Sequence, residues 1–315
     1  MIIVVLAVAV PIAVLVVVVP ALRRITAGGH APRLSVLAWL GMSLTVLVSW
    51  ALVGVAFMWM PHGGPVWFSL KSFIVSTLGS DWPLTLLLHA VGVALIVPLL
   101  RFVFFLLTGL VRAHRQRARR HSALRVLGHT PLDAADVVLV DSELPMVYCM
   151  AGKPGVIVAT TAARDSLDDD QFNAVLMHER AHLTERHHLL VALGHAVGRV
   201  SERLWLFRNT DHFVRMLVEM RADDVALQWF DREVVATAIV RLATLGAPEP
   251  ALGASDGSVV PRILRMSDPP SKRQRVLAGL GSCWCAGLTC ILQVAIIGIP
   301  AGAMALGNIC IYAYL

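Results

Sequence analysis

Charge is what this sequence has least of: only 15% of its 315 residues are Asp, Glu, Lys or Arg, against about a quarter in a soluble globular domain. With 57% of residues hydrophobic, an ordinary soluble enzyme is excluded, and the surplus points to lipid-facing surface. A disulfide framework is lacking too. Of the five cysteines, Cys283, Cys285, Cys290 and Cys310 fall in the last apolar stretch and Cys149 stands alone, so neither a disulfide scaffold nor a thiolate zinc site is implied. There is no internal repeat and no recognisable nucleic-acid reader motif. The formal charge of +6 has its excess in Arg23, Arg24, Arg33 and the run Arg112, Arg115, Arg117, Arg119 and Arg120. These sit beside apolar segments, where topology and anionic lipid account for them. Direct nucleic-acid binding is not expected.

What the chain does have is long apolar runs. The first covers residues 1–20 and lacks the positive segment that precedes the core of a cleavable leader. Arg23 and Arg24 follow it instead, which predicts a retained helix with its N-terminus outside. Further spans are expected at about 34–60 and 84–110, joined by a short exterior loop at 61–83 that holds Pro61, Gly63, Gly64, Pro65 and Pro83. The basic segment after the third span places residues 111–276 in the cytoplasm, and 277–315 forms a fourth transmembrane segment. The expected fold class is an α-helical polytopic membrane protein with about four transmembrane helices and one cytosolic α+β domain. Its expected location is a plasma membrane of bacterial type.

The cytosolic stretch has its own periodicities. Val137–Val140, Met146–Met150 and Gly155–Thr160 are β-prone, and the last two form a hairpin across Gly152-Lys153-Pro154-Gly155. Ser166 is placed to cap a helix whose first turn holds Asp168 to Asp170, running to about Leu193. Helical patterns come after it at about Asp211–Phe230 and Arg232–Leu245.

Within the capped helix stands His178-Glu179-Arg180-Ala181-His182, an H-E-x-x-H motif. Residues i and i+4 share a helix face, so both imidazoles can reach one metal ion. Glu179 falls beside that metal, where it can take a proton from bound water as general base. A catalytic Zn2+ needs a third protein ligand and an open position. Glu219 is the candidate, because its carboxylate lies among Met216, Leu217, Val218 and Met220 and is costly to bury unpartnered. Asp223, at i+4 from Glu219, can hold the free N–H of a ligand histidine.

Other assignments compete. His188 has the spacing of a third histidine ligand, but that arrangement needs a glycine where Glu185 stands, and a continuing helix would carry His187 and His188 away. His195 and His212 could serve an oxyanion or be ordinary helix positions. Tyr148, Cys149 and Met150 lie in a strand that could pair with an extended substrate or be purely structural. Arg180 and Arg186 are expected to face solvent or headgroups. A scaffold with a structural zinc is the reading from another class; a complete Glu179 beside an open coordination position argues against it.

Four spans, a cytosolic stretch with LDDDQFNAVLMHERAHLTERHH (167–188), and EMRADD (219–224) resemble the M56 peptidases, the BlaR/MecR antirepressor family. The strand residues 147–152 and 156–158 resemble that family's strand before the metal helix. The resemblance implies a gluzincin-type zinc metallopeptidase domain with His178, His182 and Glu219 as ligands and Glu179 as base. It further implies cleavage of a cytosolic winged-helix repressor of the BlaI/MecI kind. Expected partners are therefore that repressor, the lipid bilayer and, in a homo-oligomer, further copies of the chain. The sequence ends at Leu315 without an S-x-x-K sensor domain, so covalent β-lactam sensing is not expected. His187 stands where related membrane zincins often carry an acid. Membrane quality-control proteases of the HtpX type use the same motif and a later glutamate, and they form the alternative within the enzyme class.

Overall fold

The computed structural model describes residues 14–59, 82–127, 129–131, 136–152, 154–245 and 259–313. Most of the expected first span lies outside the described residues, which open with a π-helical turn, Val14–Val18, leading into α1 (Val19–Thr26). Two long apolar helices come next, α2 (Pro32–Trp59) and α3 (Trp82–Leu127). The exterior loop between them lies largely outside the described residues. The last element, α10 (Lys272–Ala313), runs as one helix through the fourth apolar segment. Among the described residues, three helical stretches are long and apolar enough to cross a membrane: Pro32–Ala56, Thr85–Arg115 and Lys272–Val294.

The span of α2 is the most buried of the three and packs against both α3 and α10. Gly54 and Gly92 set the crossing of α2 and α3. A Cβ on Gly54 would lie 2.5 Å from the Gly92 carbonyl oxygen, and one on Gly92 would lie 2.6 Å from that of Gly54. Small residues that let backbones touch are the usual means of joining helices in lipid, where no hydrophobic force separates helix from tail.

Between α3 and α10 stands a small α+β unit. Its described strands are β1 (His129–Pro131), β2 (Val137–Val140), β3 (Val147–Met150) and β4 (Val156–Thr160), in the order β1-β2-β4-β3. β3 and β4 form the expected antiparallel hairpin, while β2 runs parallel to β4. β3 is thus an edge strand. Among the described residues, six helices lie between the sheet and α10: α4 (Thr161–Ser166), α5 (Asp169–Thr184), α6 (His187–Gly198), α7 (Trp205–Ala226), α8 (Arg232–Leu245) and α9 (Val259–Ser267).

The sheet buries Val137, Ile157 and Ala159 against Leu167, Phe172, Val175 and Leu176 at the start of α5. The other core ignores the division between the long apolar helices and the α+β unit. Trp39, Met42 and Leu47 of α2 share one apolar cluster with Ala196 and Val197 of α6 and with Leu206, Phe207, Phe213, Val214 and Leu217 of α7. The Trp39 and Phe213 rings stack at 4.8 Å, and the Ser43 and Thr210 hydroxyls hydrogen-bond at 2.7 Å inside that cluster. α7 therefore starts at Trp205, six residues earlier than the expected Asp211, because its first turns are buried against α2.

Candidate metal centre

The metal helix begins one step later than its sequence suggested. Ser166 ends α4, and its hydroxyl bonds back to the Ala162 carbonyl. Asp168 caps α5 by accepting from the Gln171 N–H at 2.8 Å, with Asp169 and Asp170 favourable to the positive end of the helix. The helix ends at Thr184, not near Leu193. Arg186 takes a left-handed conformation, φ 52° and ψ 41°, which costs a non-glycine residue about 1 kcal/mol. No glycine announces this break. Its effect is to turn the chain so that α6 starts afresh and His187 comes back onto His182 instead of being carried away.

α5 packs on β3 and on α7, and that double contact assembles the cluster. His178 Nε2 lies 3.1 Å from His182 Nε2, 3.4 Å from Glu219 Oε2, and Glu219 Oε1 lies 3.5 Å from His182 Nε2. Tetrahedral zinc with bonds of about 2.0–2.1 Å sets its ligand atoms about 3.3–3.5 Å apart. The three side chains thus match the face of a zinc coordination tetrahedron. Among the described residues this is the one group of three or more His, Cys, Asp or Glu side chains close enough to share an ion. His188 does not belong to it.

Each ligand has a support behind it. His178 Nδ1 lies 3.0 Å from Asp223 Oδ1. Asp223 is 1% exposed and is gripped from its other side by Arg262 of α9, whose Nε and Nη2 donate at 2.7 and 2.6 Å. Arg262 Nη1 also donates to Glu219 at 3.2 Å. Nothing in the sequence singled out Arg262, a lone arginine in a helix without a motif. Behind His182 stands His187, with the two Nδ1 atoms 2.9 Å apart.

Electrostatics derive from these partners. Burial opposes charge on Glu219, yet the hydrogen bond and positive charge of His178 hold its carboxyl down at about 2. The same contest leaves Asp223 at about 2, with His178 and Arg262 outweighing desolvation. Without metal, burial pulls His178 down but Asp223 and Glu219 raise it to about 9. Burial and the neighbouring His178 charge push His182 down to about 3. Glu179 is raised, first by burial and then by Glu219, while His178 and the Cys149 thiol act the other way. A carboxylate so raised is a stronger base than an exposed one.

The site opens on two sides. One cavity of about 400 Å3 is bounded by Val147 and Tyr148, by His178, Glu179 and Glu219, and by Val235, Ile239 and Leu242 of α8. A second, of about 290 Å3, is bounded by Cys149 and Met150, by His182, His187 and Glu219, and by Ala113 of α3. Tyr148 thus faces the first cavity, and Cys149 and Met150 the second. Burial, joined by the charge of Glu179, pushes the Cys149 thiol up to about 12, so it is neutral and no metal-binding thiolate. His195 and His212 are not brought to the centre. His195 pairs with Asp211 and Arg215, and His212 rests on the Phe213 ring. Arg180 does not simply face solvent: it makes a bidentate bond to Asp136, at 2.8 and 2.9 Å, just before β2.

No curated protein and no solved structure matched this chain. A family model did, that of peptidase family M48, across residues 111–278. M48 peptidases are typically zinc-dependent and membrane-associated, in keeping with the His178, His182 and Glu219 cluster and the three apolar helices. The match supports a membrane-type metallopeptidase and not specifically the M56 antirepressor group. It spans more than half of the sequence and takes in every residue of the cluster, and the chain therefore belongs to peptidase family M48.

Proposed function

We propose that this protein is a membrane-embedded zinc endopeptidase that cuts extended polypeptide at the cytoplasmic face of the bilayer. The observation that carries the reading is the position of β3. Its outer edge, unpaired among the described strands, runs past the His178–His182–Glu219 cluster, with Val147 and Tyr148 at one cavity and Cys149 and Met150 at the other. A strand-like substrate pairing with that edge would cross the centre and leave it on both sides, which suits cleavage within a chain rather than at its end.

His178, His182 and Glu219 would hold the ion, with Asp223 holding the free N–H of His178. Bound zinc supplies a water whose pKa falls to about 7 and an electrophile for the scissile carbonyl. Glu179 would accept a proton from the attacking water at its carboxylate and return it to the leaving amine. Its burial favours proton uptake, and the neutral Cys149 thiol beside it can donate a hydrogen bond to the carboxylate. The apolar wall of Val235, Ile239 and Leu242 gives the first cavity a preference for an aliphatic or aromatic side chain.

Two substrate classes suit this cleft, a cytosolic winged-helix repressor and a membrane protein sent for turnover. Both would enter as extended chain, and the M48 match is compatible with either. Comparing new protein N-termini in cells carrying the wild type and Glu179→Gln separates them. Fragments of a winged-helix protein would support the antirepressor role; fragments of many membrane proteins would support quality control. Identical N-termini in both cells would reject the endopeptidase reading.

A further inference from the structure

The two histidines of the cluster are supported in different ways, and the support of His182 leads to the spanning helices. His182 Nε2 faces His178 and Glu219, so it is the atom that would ligate the ion, and its proton must sit on Nδ1. That Nδ1–H points at His187 Nδ1, 2.9 Å away, which must therefore accept. The proton of His187 is then forced onto Nε2, which lies 3.4 Å from Glu185 Oε2. His187 is 2% exposed, so these side chains are its close polar neighbours. Glu185 receives two guanidinium groups in turn. Arg221, two residues beyond Glu219 on α7, donates to it at 2.7 Å. Arg33, in the first turn of α2, donates at 2.5 Å. Every proton position along this path is determined by the one before it.

We propose that His187 and Glu185 are positioning residues that fix the tautomer and ring orientation of the ligand His182, and that they anchor it to α7 through Arg221 and to the membrane-spanning α2 through Arg33. The proposal rests on the reading of His182 as a metal ligand. It adds a support for that ligand made of a second imidazole, where Asp223 supports His178 as a carboxylate. Arg33 lies in the long apolar helix α2, outside the segment matched by the family model. Arg221 is the stronger anchor, because its side chain is 16% exposed against 63% for Arg33. An exposed ion pair contributes little.

The test uses full-length protein in nanodiscs, measuring zinc affinity by chelator competition and the visible spectrum of the Co2+-loaded protein. His187→Leu fills the volume but offers no acceptor, and it should weaken zinc about 10–100-fold and shift the Co2+ bands. His187→Asn places an amide oxygen near the Nδ1 position and should recover most of both. Arg33→Gln should cost no more than about fivefold. Thermal unfolding of the metal-free variants separates lost support from lost fold. Zinc affinity unchanged in His187→Leu, or no better in His187→Asn than in His187→Leu, would overturn the proposal. Zinc retained by His178→Ala would instead reject the ligand set itself. Zinc lost there but kept in His187→Leu removes the relay alone.

Discussion

The two halves of α7 do different work with one piece of backbone. From Glu219 to Asp224 the helix presents a carboxylate of the His178–His182–Glu219 cluster, the partner of His178 and two ion-paired groups. From Trp205 to Leu217 it presents Leu206, Phe207, Phe213, Val214 and Leu217 to the spanning bundle. The Glu219–Asp224 half carries chemistry and the Trp205–Leu217 half carries attachment, and a rigid helix transmits position from one to the other. The difference teaches that the metal centre is not housed in a unit closed off from the membrane. Glu219 of the cluster stands on a helix that α2 holds, through the Trp39–Phe213 stack and the Ser43–Thr210 bond.

The comparison can be broken most directly at the chemical half. Glu179→Gln should leave zinc content intact and lower peptide cleavage by about 10²–10⁴-fold, measured with a quenched fluorescent peptide carrying a central apolar residue. Cutting the chain down to residues 111–276 removes α2 while keeping the whole motif. That fragment should aggregate and take up zinc poorly, since the apolar face of Trp205–Leu217 loses its cover. A soluble, zinc-loaded fragment would show that the halves are independent. Within the full chain, Trp39→Ala should destabilise by about 3–5 kcal/mol, mainly through the cavity it leaves, and should weaken zinc binding as well. Thr210→Val should cost only about 0.6 kcal/mol, a common value for a hydrogen bond between helices in a membrane. Both are read from unfolding in mixed micelles.

A pH measurement tests the junction of the two regions. Against burial, Arg221 and Arg33 hold the Glu185 carboxyl at about 2, below its ordinary 4.5. A depressed carboxyl stabilises the fold above its unfolded value and loses that contribution as pH falls through the folded one. The metal-free protein should therefore lose stability as pH falls from about 4.5 to 2, and Glu185→Gln should flatten that limb of the curve. An unchanged limb would remove Glu185 from the junction.

How much of this was legible varied along α7 itself. Glu219 and Asp223 could be found because a carboxylate among apolar neighbours, four residues from another on the same face, has few other uses. The start of the helix was obscured by Arg208 and Asn209, polar residues just ahead of the expected first residue Asp211. The spacing of Leu206, Phe207, Thr210, Phe213, Val214 and Leu217 does give a buried helical stripe, and it was the available signal. The break after α5 had no such signal, because Arg186 is not a residue type that favours a left-handed backbone. His187 was missed with that break, because only the turn at Arg186 brings it back onto His182; Arg262 was missed because its partners Asp223 and Glu219 lie on a helix distant in sequence, which periodicity does not report. The spans were plain from hydropathy, though not that α2 would give so much of its surface to α6 and α7.

The convergence of His178, His182 and Glu219 on one ion is tested most directly by X-ray absorption at the zinc edge, on the full-length protein and on Glu219→Ala. The predicted result is two imidazole nitrogens and two oxygens at about 2.0–2.1 Å, with altered coordination or lost metal in the variant. A sulfur neighbour, or a first coordination shell identical in both proteins, would contradict it.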